Sequence, residues 1–387
     1  MANLFDELQM GTVSRRRLLE LLSAASSVAL AAAQTKPAQS SQPATGDQPK
    51  ISPANIGGGG RIERDFYRQW IKNSKVPMME GYSILDAAKQ EIQPWPETGG
   101  RGLYLNFSGN VHMDAVIQEI PAGKALAPKQ HFYEQITYVL SGRGYTTFGS
   151  GGKGNKVEWG EGSLFAVPMN VLHRHYNTDS AHPARLLFIT SFPFMLQVFG
   201  SMGLINDLNF SFTDRYNGSA DYFSTTTRVR QRWDKTNFVK DIRNSEVVDW
   251  PERGEGNASM YWEMAGNTIL EPHMSEFEVG SYKLGHRHAY EAIILTLNGK
   301  GYSLAEKDRL KDTEAIKIDW QAGSIVSPPF YWFHQHFNTG TTKARYLAIT
   351  EGDFPIRLGF PLPVQQIEAS EEDPEIKKHF QRELHRG

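Results

Sequence analysis

Along most of the chain apolar and polar side chains alternate in short runs, cut by turns that contain glycine or proline. This period of two predicts the short strands of a sandwich or barrel. Tyr138-Val139-Leu140, followed by Gly142 and Gly144, reads as a strand entering a tight turn. Gly162 to Val167 is another strand, ending at Pro168 where a missing N–H is tolerated. Three stretches depart from the rule. Glu63 to Asn73 places Phe66, Tyr67, Trp70 and Ile71 at helical spacing, a helix expected to pack on the first strand unit. Phe194 to Ser245 is less regular, holds Arg215, Arg228, Arg230 and Arg232 among aromatics, and reads as an inter-domain connection with its own helices. Glu371 to His385 is a charged helix expected on the surface.

The strand pattern occurs twice. Trp95-Pro96-Glu97 returns as Trp250-Pro251-Glu252, Gly109-Asn110 as Gly266-Asn267, and Tyr133-Glu134 as Tyr290-Glu291. Leu140-Ser141-Gly142-Arg143-Gly144-Tyr145 returns as Leu297-Asn298-Gly299-Lys300-Gly301-Tyr302, and His173-Arg174-His175-Tyr176-Asn177 as His334-Gln335-His336-Phe337-Asn338. The offset is 157 from His131 to His288 and 161 from His173 to His334, so one small insertion near Glu306 to Glu314 separates two copies of a unit. A repeat this long is a whole domain, not a solenoid unit.

The second copy carries the candidate chemistry. In a strand, side chains at i and i+2 share a face, so His286 and His288 point one way and so do His334 and His336. If the two strands are neighbours in a barrel, up to four imidazoles converge on one interior spot. Neutral imidazole is the commonest side-chain ligand of divalent first-row metals. A single histidine is more often a hydrogen-bonded surface or core residue; two His-x-His pairs flanked by strand patterns point to a metal.

Composition narrows the choice. The chain has 387 residues, enough for two domains with real cores, and no cysteine, which excludes disulfides, thiolate ligands and a cysteine nucleophile. A net charge of −2 gives no electrostatic reason to expect nucleic acid or an anionic membrane as partner. Ser14-Arg15-Arg16-Arg17-Leu18-Leu19 is a twin-arginine pattern followed by an apolar run, Leu21 to Ala33, too short for a comfortable span. Ala31-Ala32-Ala33 suits signal cleavage before Gln34, so a periplasmic or secreted protein with no stable membrane anchor is expected. The stretch from Thr35 to Gly60, rich in Gln, Pro, Ser and Gly, reads as a disordered tether.

Both copies resemble the cupin superfamily, whose motifs are Gly-x5-His-x-His-x3,4-Glu-x6-Gly and Gly-x5-Pro-x-Gly-x2-His-x3-Asn. Gly280 to Gly299 follows the first motif with His286 and His288 at its histidines; Gly323, Pro329, His334 and Asn338 follow the second, with Tyr331 at the glycine position. In the first copy Gly162, Pro168, His173 and Asn177 match and Asn170 replaces that glycine. The resemblance implies an all-β chain of two tandem double-stranded β-helix (jelly-roll) barrels with a few peripheral helices. The divisions that follow are a signal peptide at 1–33, a tether at 34–62, barrels at 63–200 and 246–362 joined by 201–245, and a tail helix at 363–387.

Departures from the motifs single out the second barrel. Ala292 occupies its carboxylate position, and Glu291, one residue away on a strand, is expected to point out. His286, His288 and His334 remain, a set similar to that of gentisate 1,2-dioxygenases and related ring-cleaving enzymes, which bind Fe(II) with three histidines. His336 is expected next to the ligands as a supporting group, proton shuttle or fourth ligand, and Tyr290, Tyr331, Trp332 and Phe333 as apolar walls. Arg287 alternates away from the metal, toward a surface or interface ion pair. In the first barrel Lys129 and Gln135 replace a histidine and the carboxylate, leaving His131, His173 and His175. A lysine there opposes a dication, so that barrel reads as degenerate, with Lys129 alternatively a desolvated amine or the anchor of an acidic ligand. The expected function is an Fe(II)-dependent dioxygenase taking O2 and an aromatic or hydroxy-acid substrate, with room for a homo-oligomer. The rival readings are a Mn, Ni or Zn decarboxylase, isomerase or lyase, and a non-catalytic exported binding protein.

Overall fold

The computed structural model describes residues 65–385, apart from 150–153, 309, 312–313 and 361–363. The twin-arginine segment and the tether lie outside the described residues. Among those described, no helix is long and apolar enough to cross a membrane.

Each copy contributes one large and one small sheet. In the first copy the large sheet runs in the order Met78–Gly81, Gly100–Phe107, Asp114–Ile120, Ala184–Thr190, Gln135–Ser141, Leu164–Val167, Phe238–Val239. Its small sheet is His173–Asn177, Arg143–Phe148, Lys156–Gly160. In the second the large sheet is Thr226–Arg230, Trp233–Thr236, Asn257–Glu263, Glu271–Phe277, Ala344–Thr350, Ala292–Asn298, Ile325–Val326, Ser83–Ile84. Its small sheet is Ile316–Gln321, Lys300–Glu306, Phe333–Asn338, His286–Arg287, Gln365–Gln366. Small-sheet strands show the alternation that the sequence predicts, as in His173–Asn177, where every second residue is buried. Central strands such as Leu164–Val167 are buried throughout, because both of their faces are covered.

The two copies exchange a strand. Ser83–Ile84 precedes the first barrel yet pairs with Ile325–Val326 of the second. Phe238–Val239 precedes the second barrel yet pairs with Leu164–Val167 of the first. The ends match as well: Ala87 N–H donates to Gly323 O and Ile242 N–H to Gly162 O. Ser324 Oγ donates to Leu85 O and Ser163 Oγ to Lys240 O. The latter part of the irregular connection is therefore a copy of the segment leading into the first barrel.

A second reciprocal contact joins the barrels. The Glu134 carboxylate accepts N–H bonds from Thr268, Ile269 and Leu270 and pairs with Arg215 at 3.1 Å. Its counterpart Glu291 accepts from Val111, His112 and Met113. Glu291 does turn away from the barrel interior, as strand parity requires, but it does not reach solvent: it is buried against the opposite copy. Burial pushes its carboxyl up to about 7, against the pull of His112 and the Val111 and Met113 N–H groups.

Beside it, His112 Nδ1 lies 3.0 Å from Glu351 Oε2, which also accepts from Glu291 N–H. Burial opposes a charge on His112, but the bond to Glu351 and the nearby Glu291 outweigh it and raise the imidazole pKa. A raised histidine stabilises the fold fully below its unfolded pKa and loses that contribution as pH rises through its folded value. The advantage in melting temperature of the parent over His112→Gln is therefore expected at pH 6 and gone at pH 9. An equal difference at both pH values would refute a charged pair.

The helix Phe66–Asn73 packs Tyr67 and Trp70 on Tyr104 and Phe192 of the first barrel. The C-terminal helix Pro374–Leu384 is not simply a surface element. Its Ile376 and Phe380 are buried against Tyr282, Tyr302 and Phe337 of the second copy.

Candidate metal centre

His286 and His334 are direct partners across the ladder, and His288 follows two residues on from the first. Their ring centroids lie 4.4 Å (His286–His334), 4.8 Å (His288–His334) and 5.8 Å (His286–His288) apart. One ring nitrogen from each falls within 4.8 Å of the others, and all three rings are buried.

Hydrogen bonds fix which nitrogen faces inward. His286 Nδ1 bonds Leu284 O at 2.8 Å, His288 Nδ1 bonds Tyr290 O at 2.8 Å, and His334 Nδ1 bonds Trp332 O at 3.0 Å. A carbonyl only accepts, so each Nδ1 carries the proton and each Nε2 keeps its lone pair. Burial holds all three imidazoles well below their ordinary pKa, His334 at about 4, and positive charge on Arg253 and Lys283 adds to the shift. Three neutral nitrogen donors turned to one point fit a divalent first-row metal.

His336 is set differently. Its Nδ1 lies 2.7 Å from Ser303 Oγ, which accepts a 3.1 Å bond from Trp320 Nε1. Among the described residues the acceptor shown for the serine hydroxyl is His336 Nδ1. With the serine as donor, the His336 proton sits on Nε2 and this ring is a donor toward the interior, unlike the three carbonyl-bonded rings. Its centroid stands 5.6 Å from His334 and 6.3 Å from His286.

Tyr290 lies flat on His288, with centroids 3.8 Å apart and planes 7° off parallel. It lines a cavity of about 490 Å3 with Tyr261, Glu271, His273 and Ala289. Burial, then Asp353, pushes the Glu271 carboxyl up to about 7, where it can take or give a proton near neutrality. Tyr331 and Phe333 sandwich Arg287, each ring centroid 4.4 Å from its guanidinium, and Arg287 Nε donates to Gln365 Oε1. The ion pair expected for Arg287 is thus a stacked cation. Tyr331 has φ of +63° and Asn170 +58°, the left-handed backbone that the motif glycine would supply.

Several interior groups have no place in the sequence motifs. Lys283 is buried, donates to Tyr346 OH at 2.8 Å and lies 3.4 Å from Ser275 Oγ. His273 is buried on Tyr261, its Nδ1 without a partner. Their signal is partial: Glu271, His273, Ser275 and Phe277 alternate in one strand, whereas Lys283 lies in a loop where parity says nothing.

The first copy repeats the frame without the triad. Backbone pairing joins Lys129 to His173 where the second copy joins His286 to His334. His131 Nδ1 bonds Tyr133 O, His173 Nδ1 bonds Val171 O, and His175 Nδ1 meets Thr146 Oγ1, itself bonded by Trp159 Nε1. Gln135 Nε2 donates to Thr137 Oγ1, and its side chain lines a separate cavity with Lys129. Among the described residues the groups able to hold a metal are the triad and His112–Glu291–Glu351. In the latter the carboxylates are already engaged by backbone N–H groups.

This geometry defines a chain of two jelly-roll-type copies, one of which carries a three-imidazole cluster. Residues 116–190 match the family model of the cupin domain. A search of curated proteins finds no match. Among solved structures the chain is similar to an oxalate decarboxylase at 15% identity, with TM-score 0.49, covering 78% of this chain and 84% of that one. The oxalate decarboxylase of Bacillus subtilis gives 16%, 0.48, 71% and 77%. A salicylate 1,2-dioxygenase from Pseudaminobacter salicylatoxidans gives 15%, 0.47, 66% and 75%. Likeness at this level concerns the fold alone.

Proposed function

We propose that the protein is a mononuclear non-haem metal oxidoreductase, an Fe(II)-dependent dioxygenase of an aromatic or hydroxy-acid substrate. The observation that carries this reading is the set of three carbonyl-locked imidazoles, His286, His288 and His334, presenting Nε2 lone pairs to one point. On such ligands a divalent iron supplies Lewis acidity and redox chemistry toward O2, with positions left for a chelating substrate.

The surrounding residues supply the rest. Arg253 adds positive charge near the triad, which suits an anionic substrate group. Tyr290 fixes the plane of His288 and offers its phenol to the cavity wall. His336, held by Ser303, presents an N–H toward the interior. Glu271 is the group in the cavity suited to moving a proton. The twin-arginine pattern supports export of the folded, metal-loaded chain to the periplasm.

The test is anaerobic purification of the mature protein, elemental analysis, and O2 uptake with a panel of aromatic hydroxy-acids. A single iron equivalent with substrate-dependent O2 consumption is expected. Turnover that persists without O2 would replace the oxygenase with a redox-silent Lewis-acid enzyme, and metal held only by the first barrel would remove the assignment.

A further inference from the structure

We propose that the first barrel is a metal-independent binding pocket for a small aromatic hydroxy-carboxylate, with the carboxylate on Lys129 and the hydroxyl on Asp114. The inference does not rest on the metal reading of the other barrel.

A cavity of about 160 Å3 lies on the first copy, lined by Trp70, Trp95, Tyr104 and Phe192 along its walls and by Lys129 and Asp114 among its polar groups. An apolar cavity of about 150 Å3 accepts a benzene-sized molecule. Lys129 keeps more than a third of its surface accessible and lines this space. The protein packed around it lowers its pKa, and among the described residues no carboxylate pairs with it. Asp114, among the residues lining the cavity, is 1% exposed; its Oδ1 accepts from Thr190 Oγ1 at 2.6 Å, and Oδ2 is buried without a partner. Burial raises the Asp114 carboxyl well above its ordinary range, which favours a hydrogen-bonding role for it beside the Lys129 amine.

An ammonium without a counter-charge, in a recess walled by aromatic rings, favours an anionic ligand. A ligand carboxylate supplies that charge, an aromatic ring fills the space between the indoles, and a hydroxyl completes the bonding of Asp114. Lys129 holds the position of His286, so a fixed cation stands where the other barrel gathers ligands for one.

The test uses the full chain carrying His334→Ala, stripped with chelator, and titrated with 2-hydroxybenzoate by calorimetry and tryptophan fluorescence. Saturable binding of one equivalent is expected, with quenching from Trp70 and Trp95. Lys129→Met is expected to weaken it at least about ten-fold, the usual effect of losing a charge-assisted bond, while melting no lower than its parent. On the unmutated barrel, 2-hydroxybenzamide should bind at least about ten-fold more weakly, and benzoate more weakly than 2-hydroxybenzoate. The proposal is overturned by absent saturation, by equal affinity for acid and amide, or by unchanged affinity in Lys129→Met.

Discussion

His334→Ala is expected to release the metal from the second barrel and to abolish turnover. His334 stands between the other two ligands, 4.4 Å from the His286 ring and 4.8 Å from the His288 ring, and its Nδ1 is locked to Trp332 O. Without it two imidazoles remain, and no carboxylate in the described interior replaces the third, because Ala292 occupies that strand position and Glu291 turns to the other copy. Loss of a group that merely supports a ligand costs ~10–100-fold in metal affinity, so loss of the ligand itself is expected to cost ~100-fold or more. His336→Ala supplies the contrast: it removes an N–H donor, and the metal is expected to stay while turnover falls. Elemental analysis of both variants after dialysis against a weak chelator decides the matter. Metal retained in His334→Ala but lost in His336→Ala would show that the roles of the two rings have been exchanged.

The second large effect concerns stability. Glu134→Ala leaves the N–H groups of Thr268, Ile269 and Leu270 without acceptors, and Arg215 without its carboxylate. Glu291→Ala does the same to Val111, His112 and Met113. A buried donor left unpaired costs roughly 1–3 kcal/mol, so each variant is expected to lose about 3–5 kcal/mol after partial relaxation. For a chain of this size that is a fall of about 4–6 °C in melting temperature. Calorimetry of the two single variants is the measurement. A shift within 1 °C of the parent would mean that these contacts are replaced by water.

Strand parity explains both what could be read from the residues and what could not. It placed His286, His288 and His334 on inward faces, because an i, i+2 pair admits one arrangement once a face is buried. It turned Glu291 away from the triad but could not say that the outer face would be covered by the other copy's loop. Lys283 and Arg253 lie outside regular strand alternation, in a loop and a single turn, where no period exists to orient them. The short exchanged strands are two residues each, below any periodic signal. Only the likeness of Asp86-Ala87 to Asp241-Ile242, at an offset of 155, marks them in the sequence. The C-terminal helix hid its contact in the same way, with only Ile376 and Phe380 buried in eleven residues, Pro374–Leu384, dominated by charge.

The exchanged strands also bear on how such a protein can change over time. A duplicated unit whose second copy has taken over the chemistry is ordinarily free to shed the first. Here excision of either half would leave the survivor holding a ribbon it has no place for and missing the one it needs, so loss of the metal ligands from one copy does not make that copy dispensable. A barrel interior that must stay folded without a metal triad of its own is where a new ligand can be acquired.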